Sequence, residues 1–566
     1  GVTSASEYYA QIVSDGEGGA IVAYYSSEGG NQYHYVQRVD AYGERLWGAG
    51  GVKLCPSYNT NTPPIAMISD GAGGAIIAWR DSRSAEGIYA QRVDGDGNLR
   101  WNAAGVAVGT ASGNQLNPAI VSDGAGGAYV AWEDMRSGIR DIYAQRVNAS
   151  GSVLWAANGV AVCTAANDQE TPRIAADRFG AYVAWKDYRA GNYDIYAQRL
   201  YFDGGPQWTA NGAAVCNATL MQEYPEIIPT GYGGAILAWQ DWRSGDPAAY
   251  IQHLNDIGTA QWTANGIAVT AMAGEKHRPR LVSDGTTAGS VVVWHTSSTL
   301  ADVYAQRFNG IGMAQWTANG VPVCTADVGQ TEPKIVRDSE GNYVIVWWDG
   351  RIPYESDIYA QKLSSSGTPV WAAGGVPVCS ASLTQMDPWI AGDSEGGLIA
   401  VWQDSRDGNN DVYVQRIERN GYWGYPAPDI YKVRDVPGDQ GGSVTMSWYA
   451  SHLDPLPDGL ISSYTVWRAI DQELAQLALA RGARAIESVS ELDPAVSAPA
   501  IRTEVLAGQS YFWELVSTVD AYHLPTYSKT VPTLFDSTDV CGDPSYFEVI
   551  AHTSDSRVFW VSQPDS

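Results

Sequence analysis

Residues 117–165 read NPAIVSDGAGGAYVAWEDMRSGIRDIYAQRVNASGSVLWAANGVAVCTA, and near copies of this text run from Tyr8 to Asp429. Eight copies are aligned by the aromatic that ends the apolar run: Tyr24, then Trp79, Trp132, Trp185, Trp239, Trp294, Trp347 and Trp402, at steps of 53 to 55 residues. The Tyr of a Tyr-x-Gln triplet gives a second frame, at Tyr35, Tyr89, Tyr143, Tyr196, Tyr250, Tyr304, Tyr359 and Tyr413. A repeat of this length is a supersecondary unit that buries its apolar face on its neighbours.

Each unit contains four extended segments. PxIVSD is short and leads into Asp-Gly-x-Gly-Gly, a turn in which Asp bonds the backbone and Gly supplies positive φ. The apolar run ending in Ala-Trp follows, then DIYAQRV, where large and small residues alternate as in a half-buried strand. A Gly turn leads to a strand centred on a second Trp and to a GVxVC segment. No helical period appears, so the expected class is all-β and the expected architecture an eight-bladed β-propeller. The eighth copy stops after Trp423 without a GVxV segment, while Gly1-Val2-Thr3-Ser4 stands ahead of the first PxI-like strand. The N-terminal strand is therefore expected to close the last blade, which removes two exposed edges.

The bulk composition narrows the partners. The formal net charge is −27 with only 17% charged residues, so no phosphate-binding surface and no nucleic-acid partner are expected. No apolar run is long enough to span a bilayer. Five of the six cysteines, Cys55, Cys163, Cys216, Cys324 and Cys379, share the end of the GVxVC segment. Equivalent positions in successive units are too far apart for a bridge, so these read as small buried hydrophobes. Cys541 stands alone. The sequons at Asn148 and Asn217 are compatible with an extracellular or cell-surface location.

The repeats, with their WxDxR…DIYAQR wording, resemble those of bacterial secreted β-propeller proteins, whose functions are mostly unassigned. The turn also loosely resembles the sialidase Asp-box, but Trp132 falls nine residues after Asp123, so no sialidase site is implied. Pro426-Ala-Pro428 ends the repeats, which places a propeller at 1–428 and a second domain at 429–566. There, VTMSWYAS and ISSYTVWRAID resemble the opening strands of a fibronectin type III module, and SYFEVIAHTS with RVFWVSQPDS its closing ones. This reading makes Gln472 to Pro544 a large insertion with a helical piece.

The chemistry is sparse. Asp-x-Arg follows six of the Ala-Trp strands, at Asp81/Arg83, Asp134/Arg136, Asp187/Arg189, Asp241/Arg243, Asp349/Arg351 and Asp404/Arg406. Such repetition points to ion pairs that fix loops, and the Gln of Tyr-x-Gln reads as a backbone-bonding residue. Asp94-Gly-Asp96-Gly-Asn98 resembles the opening of a Ca2+ loop but lacks the following bidentate Glu, so no cofactor is expected. No nucleophile, zinc or phosphate-loop motif is present, and no catalytic residue is nominated. The positions that vary carry more information: Tyr188, Tyr193, Trp242, Trp348 and Tyr354 are the candidate surface contacts for sugars or proteins. The expected function is a non-catalytic extracellular protein of structural or adhesive kind. It would bind glycans or proteins, or assemble head-to-tail into a surface filament by strand addition. The alternative is a carbohydrate-active enzyme, a glycoside hydrolase or lyase, using the propeller cleft.

Overall fold

Apolar strands bounded by Asp–Gly turns pair with their sequence neighbours, and the fold of the repeats follows from that. A computed structural model describes the chain except residues 1–5, 29–30, 56–64, 84–85, 298–300, 353–354, 437–438, 440–441, 452, 455–459, 493–498, 507–508, 534–545, 554–558 and 563–566. Two compact units are formed, Gly1–Gly424 and Tyr425–Ser566. The first unit is all-β and propeller-like: seven four-stranded antiparallel sheets and one three-stranded sheet, each with its strands in chain order. The first strand of each sheet packs on the first strand of the next, and Gln385–Gly392 of the last sheet packs on Ser6–Ser14 of the first. Gly1 to Ser4, expected to complete the last sheet, lie outside the described residues.

Each repeated side chain has a bonding role. In the third sheet the Asp123 carboxylate accepts the backbone N–H groups of Ala125 and Gly127, both at 2.9 Å, which shapes the turn. Its second oxygen takes the Arg146 guanidinium at 2.8 Å. Trp132 is fully buried and donates its indole N–H to Asp134 at 2.9 Å. Asp134 also accepts both the Nε and a terminal nitrogen of Arg136, and that guanidinium lies 3.7 Å from the Tyr143 ring centre. Gln145 donates to the Ala156 carbonyl at 2.9 Å and accepts the N–H of Trp155 at 2.9 Å. Trp155 then reaches the following sheet, donating to the Phe202 carbonyl at 2.9 Å. The Asp–Arg pairs and the Tyr-x-Gln triplets are thus the frame of the ring. The five repeat cysteines are buried thiols; Cys541 is outside the described residues.

One buried carboxyl sits awkwardly in this frame. Asp357 is completely buried across from Asp349, and neither of its oxygens has a hydrogen-bond partner among the described residues. Burial, followed by the charges of Asp349 and Glu355, raises its pKa from 3.8 to about 6. A raised folded-state pKa adds stability that is fully present below pH 3.8 and is lost as pH rises through 6. Asp357→Asn is therefore expected to stabilise the protein at pH 7.5 by about 1–2 kcal/mol and to be neutral at pH 4. Urea unfolding at both pH values checks this, and an equal effect at both would refute the assignment.

The second unit holds two sheets. Asp429–Asp435, Ser443–Tyr449 and Thr526–Pro532 form one; the other runs Arg484–Ile486, Ala500–Leu506, Gln509–Asp520, Ile461–Ile470, Phe547–Thr553, Phe559–Val561 in spatial order. Alternating residues Met446 and Trp448 are both fully buried, and Trp448 meets Tyr464, also fully buried, and Tyr527. Within 472–544, helix Gln472–Ala480 is capped by Asp471, whose carboxylate accepts the Leu474 N–H at 2.8 Å. Strands Gln509–Asp520 and Thr526–Pro532 of the same stretch are full members of the two sheets.

Candidate functional site at the hub

The ring brings together the residues that flank the Pro of each first strand. Pro118, Pro172, Pro225, Pro279, Pro333 and Pro388 are buried and repeat without change, whereas the residue before Pro is different in all six and the residue after it varies. Every such strand carries a bulge: in the third sheet Leu116 faces Glu133 and Ala119 faces Ala131, so two residues oppose Trp132. The residue before Pro takes positive φ, from 45° at Arg278 to 53° at Tyr224, Glu332 and Asp387, and 52° even at β-branched Thr171. Such backbone is strained for these residue types, by on the order of 1 kcal/mol each. A bulge re-aims side chains, and here it presents Tyr9, Asn117, Tyr224, Arg278 and Asp387 as exposed groups on the first strands of the first, third, fifth, sixth and eighth sheets.

The sheets brace this rim. Glu133, buried, accepts the Asn117 amide and, from the next sheet, the Thr171 N–H, both at 2.8 Å. Gln240 accepts the Arg278 N–H in the same way at 3.0 Å. Burial outweighs these bonds and raises the Glu133 pKa. In the sixth sheet His295 is buried beside His277, with ring centres 5.3 Å apart; burial, then the charges of His277 and Arg278, lower its pKa to about 3. His295 is neutral at any ordinary pH.

Charged groups then join across first strands. Glu226 bonds Arg280 on the following strand and lies 3.5 Å from Arg173 on the preceding one. Burial pushes the Glu226 pKa up, but Arg280 and Arg173 together hold it below its ordinary value. Arg278 pairs with Glu332 at 3.0 Å and stands 5.1 Å from the Tyr224 ring centre. Lys334 forms no ion pair among the described residues; its ammonium is 5.0 Å from the ring centre of Trp389, which is 38% exposed. Burial, then the Arg280 charge, lower the Lys334 pKa from 10.5 to about 7.

The aromatic candidates fare differently. Tyr188 and Tyr193 come together, ring centres 4.9 Å apart, with Tyr188 exposed. Tyr193 donates its hydroxyl to Glu170 at 3.1 Å, and Lys186 lies 4.1 Å above its ring. Trp242 and Trp348 are half-buried, and Tyr354 lies outside the described residues. None of the four described candidates is among Arg173, Glu226, Arg278, Arg280, Lys334 and Trp389. Those residues went unnoticed because their neighbours repeat so strongly; the signal was the divergence on either side of an invariant Pro. Asp94, which opens the segment that resembles the start of a Ca2+ loop, spends one oxygen on the N–H groups of Asp96 and Asn98 in its own turn. Among the described residues no grouping of His, Cys, Asp or Glu is arranged to hold a metal ion, and no helix is long and apolar enough to cross a membrane.

No family model and no curated protein matches this chain. Solved structures do. The chain is similar to an endo-arabinase from Bacteroides thetaiotaomicron VPI-5482, with 15% identity over 44% of this chain and 93% of that one and a TM-score of 0.26. It is similar to a PL25 ulvan lyase bound to -[GlcA(1-4)Rha3S]-, with 11% identity over 60% and 94% and a TM-score of 0.38. A protein of unknown function from Dyadobacter fermentans DSM 18053 gives 10% identity over 72% and 94%, with a TM-score of 0.33. Likenesses this distant carry no residue roles across. The expectation of a non-catalytic structural, adhesive or filament-forming protein is nevertheless corrected here. Enzymes acting on polysaccharides, GH43 glycoside hydrolases among them, stand among these structural neighbours. The absence of any catalytic motif was the ground for expecting no catalysis, and residues brought together only by the ring leave no such motif in the chain.

Proposed function

We propose that this chain is an extracellular carbohydrate-active enzyme working at the hub of an eight-bladed propeller, followed in the chain by a fibronectin type III-like module. The eight-bladed reading is supported by the circuit of first strands, each packed on the next. The module is supported by its strand pairing. Three strands lie in one sheet, and in the other Gln509–Asp520, Ile461–Ile470, Phe547–Thr553 and Phe559–Val561 lie side by side, with 472–506 as the excursion.

The observation that carries the enzymatic reading is the convergence of non-repeating charged and aromatic side chains from neighbouring first strands, Arg173, Tyr224, Glu226, Arg278, Arg280, Glu332, Lys334 and Trp389 among them. Sugars present flat C–H faces and hydroxyl edges, which aromatic rings and charged hydrogen-bonding groups recognise together. Tyr224, Trp389 and Tyr9 supply rings, and Arg278, Arg280 and Lys334 supply donors, on neighbouring strands. The test is a panel of neutral and acidic polysaccharides assayed for new chain ends. At least one polymer is expected to be cleaved, and Tyr224→Ala is expected to lower kcat/KM about tenfold through lost stacking, on the order of 1.4 kcal/mol. Ile257→Ala, at an exposed outer turn, is expected to change nothing. A panel left intact, or activity equally reduced by both variants, would remove the proposal.

A further inference from the structure

The charge balance of the hub points to a more specific chemistry, which rests on the carbohydrate reading above. Four cationic side chains, Arg173, Arg278, Arg280 and Lys334, share the cluster with two carboxylates, Glu226 and Glu332. Both carboxylates are committed to arginines. Hydrolysis of a glycosidic bond ordinarily needs two carboxyl groups available to the sugar, one as acid and one as base or nucleophile; these two are not available. In a chain of net charge −27 a local excess of cations is a departure from the surrounding field, and it attracts anions.

We infer that the hub takes a uronate-bearing polysaccharide and cleaves it by β-elimination, with the Lys334 amine as the base. The sugar ring stacks on Trp389, beside the Lys334 side chain. With Lys334 uncharged, three guanidinium groups face two carboxylates, and the single positive charge left over matches one sugar carboxylate. Arg280 and Arg173, whose planar forks fit a carboxylate, stabilise the negative charge that develops on it. The amine takes the proton from the carbon bearing the carboxylate; the released electron pair becomes a carbon–carbon double bond; the adjacent C–O bond breaks; and the departing oxygen takes a proton from solvent at the open rim. No water is added and no electrons are transferred to or from the protein. Lys334 is suited to the role because it is held among Arg278 and Arg280 of the preceding first strand, Glu226 of the one before, Glu332 of its own strand and Trp389 of the next. Asp387, exposed on the rim, is the one carboxylate of that next strand. Burial and the Arg280 charge leave Lys334 about half deprotonated near pH 7, where a lysine base is ordinarily inert.

The full chain is incubated with uronate-containing and neutral polysaccharides, and products are weighed by mass spectrometry and followed by ultraviolet absorbance of the new double bond. Uronate polymers are expected to yield unsaturated ends, at a rate rising with pH through about 7. Lys334→Arg keeps the charge and loses the base; it is expected to retain polymer binding and to lose turnover by at least about a thousandfold. Its melting curve is recorded to show that it folds, and Lys334→Met serves if it does not. Products heavier by one water, cleavage confined to neutral polymers, or undiminished turnover in folded Lys334→Arg would each overturn this inference and leave the enzyme standing. No cleavage of any polymer would overturn both.

Discussion

Asp241→Ala is expected to destabilise the propeller unit by about 3–5 kcal/mol, among the largest effects of any single substitution in this chain. The carboxylate is wholly buried and serves two neighbouring residues at once. It accepts the Trp239 indole N–H at 2.8 Å, the Arg243 backbone N–H at 2.9 Å and the Arg243 guanidinium at 2.9 Å. Without it, Arg243 is left over the Tyr250 ring with, among the described residues, the Asn265 carbonyl and the Cys216 sulfur as its remaining partners. A half-buried cation that loses its counter-charge costs more than the pair contributed, because desolvation is no longer offset. Replacing both, in Asp241→Leu with Arg243→Met, is therefore expected to recover part of the loss. Urea unfolding followed by tryptophan fluorescence measures all three proteins. A cost below about 1 kcal/mol for the single variant would show that the pair is mere surface decoration.

The second large effect is at Gly266, which packs on the far end of the same indole. Its φ is +84°, and an added Cβ would lie 2.4 Å from Trp239 Cη2 and 2.8 Å from the Ile251 carbonyl oxygen. Gly266→Ala is expected to cost about 2–4 kcal/mol, from the left-handed backbone and the overpacked ring together. Gly274 separates the two causes, for it has φ +85° with nothing within 4 Å of the added carbon. Gly274→Ala is expected to cost about 1 kcal/mol. Equal costs at the two glycines would mean that the indole moves aside freely. Gly105, Gly159, Gly212, Gly320 and Gly375 occupy the same position against their own tryptophans.

Both glycine and aspartate were conspicuous in the sequence for the reason that makes them costly to replace. A residue that must bond the same partner in every unit recurs at the same place, so the frame of Trp, Asp, Arg, Tyr and Gln was legible from spacing alone. The hub was not, for the opposite reason. Arg173, Glu226, Arg280, Lys334 and Trp389 share no common residue type, and only the circuit of first strands makes them neighbours; in the chain each is 53 to 55 residues from the next. The aromatic loops drew attention instead because Tyr188, Trp242 and Trp348 interrupt a familiar phrase. Tyr188 does stand exposed, but Tyr193 is tied to Glu170 and Trp348 is half-buried. Divergence within a repeat marks freedom from the frame, and position in the ring decides what that freedom is used for.

The bulge before each Pro has a consequence of its own. The strain it stores is met by bonds from elsewhere, such as Glu133 to the Thr171 amide and Gln240 to the Arg278 amide, so the backbone holds its path whatever side chain stands there. Tyrosine, asparagine, threonine, arginine, glutamate and aspartate all occupy that place in this one molecule. Exchanging them changes what the rim presents without disturbing the wheel that carries it, and a lineage built on this scaffold can vary that surface one spoke at a time.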